Sequence, residues 1–124
     1  MVANVLDRFE FRSVRANEAE EVAEIEKICF PPHEVCSKKD MFERVEHAPE
    51  LFLVAVDKET GTIAGFLNGL ATDEEAFRDE FFTDITVHNP EGKNIFLLGL
   101  DVRPEYRRQG LAREIMNQLS LIHI

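Results

Sequence analysis

The sequence predicts one α/β domain (α+β in some classifications), in which a mixed, mostly antiparallel sheet is flanked by helices. Runs with strand-like alternation are interleaved with runs of helical periodicity. A nearly continuous apolar run at residues 95–102 is typical of a strand covered on both faces, in the middle of a sheet. A chain of 124 residues with ten Phe can build a single core, so residues 1–124 are expected to form one domain.

The first strand and the first helix are expected near the N-terminus. Apolar and polar residues alternate at positions 9–12, which is the period of a half-buried strand. Asn17 and Glu20 match a capping box that begins a helix. This helix is expected to end at Phe30, because Pro31 follows and the residue before a proline disfavours helical geometry. Its inward face carries Val22, Ile25, Ile28 and Cys29.

A second helix is expected after the loop at residues 31–36. Ser37 and Asp40 are typical of a helix N-cap, and Pro49 ends the helical pattern. The spacing places three apolar side chains on the inward face of this helix: Met41, Phe42 and Val45.

A hairpin is predicted in the middle of the chain. Two β-prone apolar runs at residues 51–56 and 62–72 are joined by a five-residue loop that ends in Gly61. Runs connected in this way pair as antiparallel neighbours.

The segment after the hairpin is predicted to contain a short helix and a turn. Thr72 and Glu75 match a second capping box, which would place Ala76, Phe77 and Phe81 inward and several acids on a solvated face. Asparagine, proline and glycine within residues 89–92 predict a turn before the apolar strand. A last amphipathic helix is expected from Gln109 onward.

The charge distribution limits the partners of this protein. The formal net charge of −10 argues against general nucleic-acid binding, because phosphate neutralisation requires a basic face. Residues 103–113 nevertheless contain four of the 14 basic residues and one of the 24 acids. This pattern favours an anionic ligand at the basic cluster and a cationic partner elsewhere.

Membrane insertion, secretion and metal binding are not expected. The sequence has no basic N-terminal head followed by an apolar run, and no apolar segment of roughly 20 residues. Cys29 and Cys36 predict two reduced thiols rather than a disulfide framework. The four histidines lack metal-ligating partners at suitable spacing. The sequence therefore predicts a soluble, cytoplasmic protein.

Residues 102–112 join the end of a strand to the start of a helix through a turn. The first N–H groups of a helix have no internal acceptor and lie at the positive end of its dipole, so they favour an anion. Gly110 allows a bulky phosphate to approach the backbone, and Ala112 keeps the next turn small. From these residues alone, an ordinary turn with exposed arginines is the alternative.

The string Val102-x-Pro104-x-Tyr106-Arg107-x-x-Gly110-x-Ala112 resembles the acetyl-CoA-binding motif of the GNAT superfamily of N-acetyltransferases. The β-α-α-β-β order of the predicted elements agrees with that superfamily. The resemblance implies the GNAT fold, acetyl-CoA as co-substrate and transfer of the acetyl group to an amine.

The same resemblance implies which residues bind the cofactor. The backbone of Leu100, Asp101 and Val102 would bind the pantetheine arm, and Arg108 or Arg113 would approach the adenosine phosphate. The pyrophosphate would be held by the amides of Arg107, Arg108, Gln109, Gly110, Leu111 and Ala112.

Two further segments resemble the aralkylamine N-acetyltransferase branch of the superfamily, namely residues 29–34 and 47–52. This resemblance implies a small-molecule primary amine, an aralkylamine in particular, as the acceptor. It also implies Glu34 as the catalytic base, because some members carry a glutamate in the loop between the first two helices. A surface loop acid is the alternative for Glu34. His33 is a weaker candidate, and surface or capping positions are expected for His47, His88 and His123.

The sequence departs from this family pattern in two respects. Phe96 and Leu98 occupy the positions of two histidines in the vertebrate-type aralkylamine enzymes. The only tyrosine, Tyr106, belongs to the motif, so the usual tyrosine acid of a later helix is missing and a C-terminally incomplete domain is expected. Residues 95–102 would then form an apolar sheet edge, which predicts a homodimer. A catalytically inactive CoA-binding remnant and an interaction module are the alternative functions.

Overall fold

The computed structural model describes residues 5–76 and 78–123, and only the backbone of residues 5, 6, 122 and 123. The strands and α-helices are, in order, α1 (Val5–Arg8), β1 (Phe9–Ser13), α2 (Ala19–Cys29), α3 (Lys38–His47), β2 (Phe52–Asp57), β3 (Ile63–Thr72), α4 (Glu80–Thr83), β4 (Asn94–Val102) and α5 (Leu111–His123). Short 3-10 helices lie at Ala16–Glu18, Pro49–Leu51, Ile85–Val87 and Pro104–Tyr106. The predicted strands and the first, second and last predicted helices are confirmed.

The four strands form one sheet in chain order, β1-β2-β3-β4. Every described pair is antiparallel, so the sheet lacks the parallel pair that a mixed sheet would require. Asn68 lies opposite Gly99, whereas Gly69 lies opposite Leu97. Leu98 is therefore an extra residue in β4, and this β-bulge bends the strand next to Gly99.

Strand β4 lies at the edge of the sheet that the described residues form. Ile95, Leu97 and Leu100 are 38%, 42% and 38% exposed. The expectation that residues 95–102 are covered on both faces is therefore wrong for this chain, because helices cover the central strands and leave one face of β4 open. The expected apolar edge is observed.

Helices pack on both faces of the sheet and produce two core layers. One layer joins α2 and α3 to the sheet through buried residues such as Val22, Ile25 and Met41. The other joins α5 to the sheet through Leu111 and Ile115. All ten residues of β3 are buried because each face of this strand is covered.

The helix caps agree with the sequence in one case and differ in another. The Ser37 hydroxyl accepts a hydrogen bond from the Asp40 N–H at 3.1 Å, as predicted for α3. The capping box predicted from Asn17 and Glu20 is wrong. Instead, the carboxylate of Glu18 accepts from the Arg15 N–H at 2.8 Å, in the 3-10 turn that precedes α2.

The inward face of α3 also differs from the prediction. Phe42 is 39% exposed, and the Lys38 ammonium lies 5.6 Å from the centre of its ring. Arg44 takes the inward position beside Met41 and Val45, and it is 4% exposed. The polar contacts of Arg44 decide which face of the helix is buried.

The helix predicted to start at Thr72 is wrong. β3 continues to Thr72, and the residues after it bind the start of β4. The Asp73 carboxylate accepts from the Lys93 N–H at 3.1 Å, and the Glu74 carbonyl accepts from the Asn94 side chain at 2.9 Å. Only Glu80–Thr83 is helical there, with Phe81 buried and Ala76 exposed; Phe77 lies outside the described residues.

Candidate active site

The turn between β4 and α5 has an unusual backbone. Arg108 and Gly110 have φ angles of 64° and 78°, in the left-handed region. Such geometry suits glycine and strains an arginine, and strained residues of this kind are concentrated at functional sites. The Glu114 N–H donates to the Gly110 carbonyl at 3.1 Å, which begins α5.

Most N–H groups of this turn have no acceptor in the part of the chain that the structure describes. Among the described residues, none of the backbone N–H groups of residues 108–113 donates a hydrogen bond to another residue. These six donors surround the positive end of the α5 dipole. They form a cradle suited to an anion with several oxygens, such as a pyrophosphate.

A first cavity of about 380 Å³ lies between the end of β4 and the start of α5. Eight of the ten residues that the motif predicted line it: Leu100, Asp101, Val102, Arg107, Arg108, Gly110, Leu111 and Ala112. Gln109 and Arg113 do not, although both belong to the same turn. Cys29 and Phe30 from the end of α2 complete the lining together with Tyr106.

The four arginines of the basic cluster have different contacts. Arg103 donates to the Ile63 carbonyl at 2.8 Å and lies 3.7 Å from the Glu21 carboxylate. Arg107 donates to the Val102 carbonyl at 3.0 Å. These two side chains hold the turn against the sheet. Two exposed side chains, Arg108 and Arg113, have no hydrogen bond or ion pair with a described residue and are available to an anionic ligand.

Tyr106 ties the turn to the β2–β3 hairpin. Its hydroxyl donates to the Asp57 carboxylate at 2.7 Å, and Arg8 donates to the same oxygen at 3.1 Å. The hydrogen bond from Tyr106 and that from the Glu59 N–H hold the pKa of Asp57 below its usual range, with a further contribution from Arg8. Tyr106 is therefore a structural residue, which explains its place in the motif.

A second cavity, of about 470 Å³, lies beside the first. Its walls come from the loop between α2 and α3, from the end of α4 and from Leu98 and Gly99 of β4. Glu34 lies in this wall with a side chain that is 59% exposed. Phe30 lines both cavities. Along β4, Leu98 and Gly99 line the second cavity and the residues from Leu100 onward line the first, so the two cavities meet next to Gly99.

Four polar side chains are buried near the junction of the cavities. Of these residues, only Asp101 was predicted from the sequence as part of a site. They are Glu26 of α2, Arg44 of α3, Asn68 of β3 and Asp101 of β4, each 6% exposed or less. Arg44 donates to the Asn68 side chain at 2.9 Å and to the Phe82 carbonyl at 2.7 Å. The Cys36 N–H donates to the Glu26 carboxylate at 2.9 Å.

Asp101 has the most perturbed environment in this cluster. Neither of its carboxyl oxygens accepts a hydrogen bond from a donor among the described residues. Burial, and next the hydrogen-bonding contact with the carboxyl group of Glu26, raise the pKa of Asp101 to about 9, against the opposing charges of Arg44 and Arg107. The sequence predicted only that the backbone of Asp101 contacts the cofactor. Glu26 lies 75 positions earlier in the chain, so no local sequence pattern indicated that the two carboxyl groups are neighbours.

The model of the acetyltransferase (GNAT) family matches residues 19–120, which include the turn and the residues lining both cavities. The chain belongs to the GNAT acetyltransferase family. The GNAT fold predicted from the motif is confirmed, and the resemblance to the aralkylamine branch stays a prediction.

Relatives of this GNAT domain differ in length and activity. The chain is 28% identical over 121 residues to the probable hydrolase YhcX of Bacillus subtilis (strain 168), a match that covers 89% of this chain and 23% of the relative. Its fold is similar to that of the GphF GNAT-like decarboxylase in complex with isobutyryl-CoA (TM-score 0.79, 20% identity, 91% of this chain and 58% of that chain). It is also similar to the diaminobutyrate acetyltransferase EctA from Paenibacillus lautus, solved with its substrate L-2,4-diaminobutyric acid and coenzyme A (TM-score 0.63, 18% identity, 90% and 55%).

The histidines of the chain lie outside the turn between β4 and α5. His33 and His47 have side chains that are 78% and 55% exposed. Of the two positions expected for His88, the capping one is observed: His88 is the C-cap of the 3-10 helix Ile85–Val87, and its N–H donates to the Ile85 carbonyl at 3.0 Å. Its side chain is 3% exposed, accepts from the Ala71 N–H at 3.0 Å and contacts the Glu50 carboxylate. The side chain of His123 lies outside the described residues.

The two thiols are free and buried in part. Burial raises the pKa of Cys29 and raises that of Cys36 to about 11, so both are weak nucleophiles near neutral pH. Over the described residues, no group of three or more metal-ligating side chains occurs, and no helix has the length and apolarity that crossing a bilayer requires.

Proposed function

We propose that this GNAT domain binds acetyl-CoA in the first cavity and transfers the acetyl group to a primary amine in the second. The observation that carries the proposal is the set of six N–H groups at residues 108–113 that donate to no described residue, four of which belong to residues lining the first cavity. Two relatives of the same fold were solved with isobutyryl-CoA and with coenzyme A, and these ligands are compatible with the cradle.

The cofactor would contact the domain in three places. The pyrophosphate would accept hydrogen bonds from the amides of residues 108–112, since the Arg107 N–H donates to the Pro104 carbonyl at 3.3 Å. The side chains of Arg108 and Arg113 would approach the adenosine phosphate, and the backbone of residues 100–102 would bind the pantetheine arm. In this arrangement the thioester would lie near Gly99, where the two cavities meet.

The acceptor is proposed to be a small primary amine, with an aralkylamine as the specific candidate. The second cavity has apolar walls from Phe30, Phe82 and Leu98, and Glu26, Glu34 and Asp40 supply acidic groups. An aromatic or aliphatic amine matches that lining, because its cation would meet the acids while its carbon skeleton packs on the apolar side chains. Glu34 is proposed as the base that converts the incoming ammonium to the attacking amine.

Titration calorimetry with acetyl-CoA tests the cofactor site. Gly110→Gln should abolish micromolar binding, since the added side chain would occupy the pyrophosphate site. Gly61→Gln is the matched control, because Gly61 also has a positive φ, of 75°, with open space around it, but lies in the β2–β3 hairpin. Equal losses in both variants, or no binding by the unchanged protein, would contradict the proposal.

An amine-dependent assay of CoA release separates the enzyme from the alternatives. Turnover with a panel of aralkylamines, and its loss in Glu34→Gln, would support transfer to an amine. Tight CoA binding without any transfer would instead support a CoA-binding remnant. An interaction module would be supported if CoA binding were absent and Gly110 proved irrelevant.

We also propose an oligomeric state and a compartment for this protein. The exposed apolar side chains of β4 support a homodimer formed at this edge, and Leu97→Lys should then shift the protein to monomers in sedimentation experiments. A stable monomer at high concentration of the unchanged protein would refute this.

The unpaired Cys29 and Cys36 fit a reducing compartment, and we propose the cytoplasm.

A further inference from the structure

The contact between Glu26 and Asp101 requires a proton. Ionised carboxylates only accept hydrogen bonds, so a contact between two of them becomes a hydrogen bond only when one is protonated. The two groups are in side-chain hydrogen-bonding contact, while neither Asp101 oxygen receives a bond from an N–H or O–H donor of the described residues. Both residues are nearly buried, at 6% and 1% exposure.

This carboxyl pair connects the two cavities. Asp101 lines the first cavity, beside the β4 backbone that would bind the pantetheine arm. Glu26 lines the second cavity, together with Glu34. A side chain at position 99 would come within 3.4 Å of Asp101 Oδ1, and the absence of one at Gly99 leaves the carboxyl group open toward the junction.

Charged groups from every neighbouring element act on the pair. Arg44 of α3 donates its hydrogen bonds to Asn68 and the Phe82 carbonyl, so it lowers the pKa of Asp101 only through space. The remaining titratable groups near Asp101 are Arg107 of the turn, Cys29 of α2 and Cys36 of the following loop. None of these supplies the missing hydrogen bond.

We propose that Glu26 and Asp101 share one proton and relay it between the cavities, Asp101 protonating the departing CoA sulfur while Glu26 receives a proton from the amine. The proposal rests on the proposed function and adds two catalytic residues to it. It also places an acid beside the first cavity, whereas the Tyr106 hydroxyl is bound to Asp57.

The relay is balanced in protons and electron pairs. Glu34 first removes one proton from the ammonium, and the nitrogen lone pair attacks the thioester carbon to form the C–N bond. As the C–S bond breaks, the sulfur takes the electron pair and the proton of Asp101, while the nitrogen loses its second proton to Glu26. Migration of that proton to Asp101 restores the pair, Glu34 releases its proton to solvent, and the products are the amide, CoA-SH and one proton. An acid titrating at about 9 is well matched to a thiolate, whose own pKa is about 8.5.

Carboxyl ¹³C NMR on the unchanged protein tests the shared proton without ligand or turnover. One Asp or Glu carboxyl should stay protonated at pH 7 and titrate near pH 9, and its signal should disappear in Asp101→Asn. If every carboxyl is ionised by pH 7, the proposal is wrong. Because the titration needs no CoA, it is decided independently of the proposed function, which fails if calorimetry shows no binding.

The pH profile of kcat tests the relay itself. Asp101→Asn and Glu26→Gln should each lower kcat on the order of a hundredfold, remove the decline of activity above about pH 9, and leave the acetyl-CoA KM nearly unchanged. Glu24→Gln, an exposed position on the same helix, is the control and should retain the profile of the unchanged protein. Retention of both kcat and the alkaline decline in Asp101→Asn would overturn the proposal.

Discussion

Two aspartates are buried almost completely in this domain, and their surroundings shift their pKa values in opposite directions. Asp57, fully buried, accepts hydrogen bonds from Tyr106, Arg8 and the Glu59 N–H, and its pKa is lowered. Asp101, 1% exposed, accepts none from such donors and faces a second carboxyl group, so its pKa is raised to about 9. Burial alone therefore does not decide the charge of a carboxyl group; its hydrogen-bond donors do.

The difference separates a structural site from a candidate catalytic one. Asp57 fixes the turn to the hairpin through the Tyr106 hydroxyl, and Asp57 lines neither cavity. Asp101 lies where two cavities meet, and its unsatisfied oxygens would be a cost without a role in proton transfer. The variants below test this distinction, beginning with the largest expected effect.

Replacement of Asp57 should have the largest effect on stability. Asp57→Ala leaves the Tyr106 hydroxyl and the Glu59 N–H without their acceptor, so the melting temperature should fall by about 10 °C or more. Thermal unfolding followed by circular dichroism measures this, with Asp7→Ala at an exposed position as the control. A melting temperature within a degree of the unchanged protein would mean that Asp57 does not hold the turn.

Arg44→Gln should be the next most destabilising change. Loss of the guanidinium removes one hydrogen bond to the Asn68 side-chain oxygen and one to the Phe82 carbonyl, at a cost of about 3 kcal/mol in the free energy of unfolding. It should also raise the pKa of Asp101 further, since the charge of Arg44 lowers it. Urea unfolding and carboxyl NMR measure the two effects; an unchanged or lower pKa of Asp101 would contradict the assigned charge interaction.

Asp101→Asn should change how stability depends on pH. The folded protein keeps a proton on Asp101 that the unfolded chain releases above about pH 4, so the free energy of unfolding falls as the pH rises from about 4 to about 9 and then levels off. The amide cannot titrate, and this decline should be absent from the variant. Asp57 acts in the opposite sense, because its lowered pKa contributes stability that is lost as the pH falls below about 4.

Urea titrations at several pH values measure both effects. The unchanged protein and Asp101→Asn should differ most above pH 7 and converge toward pH 4. Parallel curves for the two proteins would show that Asp101 carries no proton in the folded state.

The smallest effect is expected for Tyr106→Phe. The ring keeps its contact with Phe9, whose centre lies 5.7 Å away, and one hydrogen bond is lost, which costs about 1 kcal/mol. Because the Tyr106 hydroxyl is the largest influence that lowers the pKa of Asp57, this pKa should rise in the variant. Acid unfolding monitors the change, and a midpoint that does not move to higher pH would contradict it.

The sequence was informative wherever neighbouring residues decide the structure. The turn motif, the hairpin and the Ser37 cap were predicted because their geometry depends on residues a few positions apart. The segment after Thr72 could not be predicted in the same way. Its acids match a local helix signal, but contacts with Lys93 and Asn94 of the next strand prevail.

The candidate site shows the same limit. Eight of the motif residues line the first cavity, since strand end, turn and helix start are continuous in sequence. Glu26, Arg44 and Asp101 come from three elements, and only the sheet register and helix packing bring them together. A buried arginine on α3 was the available signal, because Arg44 lies within the apolar spacing of Met41 and Val45.

Amide NMR of the labelled protein titrated with acetyl-CoA tests most directly whether the first cavity is the cofactor site. The account predicts that the free N–H groups of residues 108–113 and the amides next to Asp101 shift on binding, while those around Asp57 in the hairpin do not. Absence of any shift at residues 108–113, or shifts confined to the hairpin, would contradict the account.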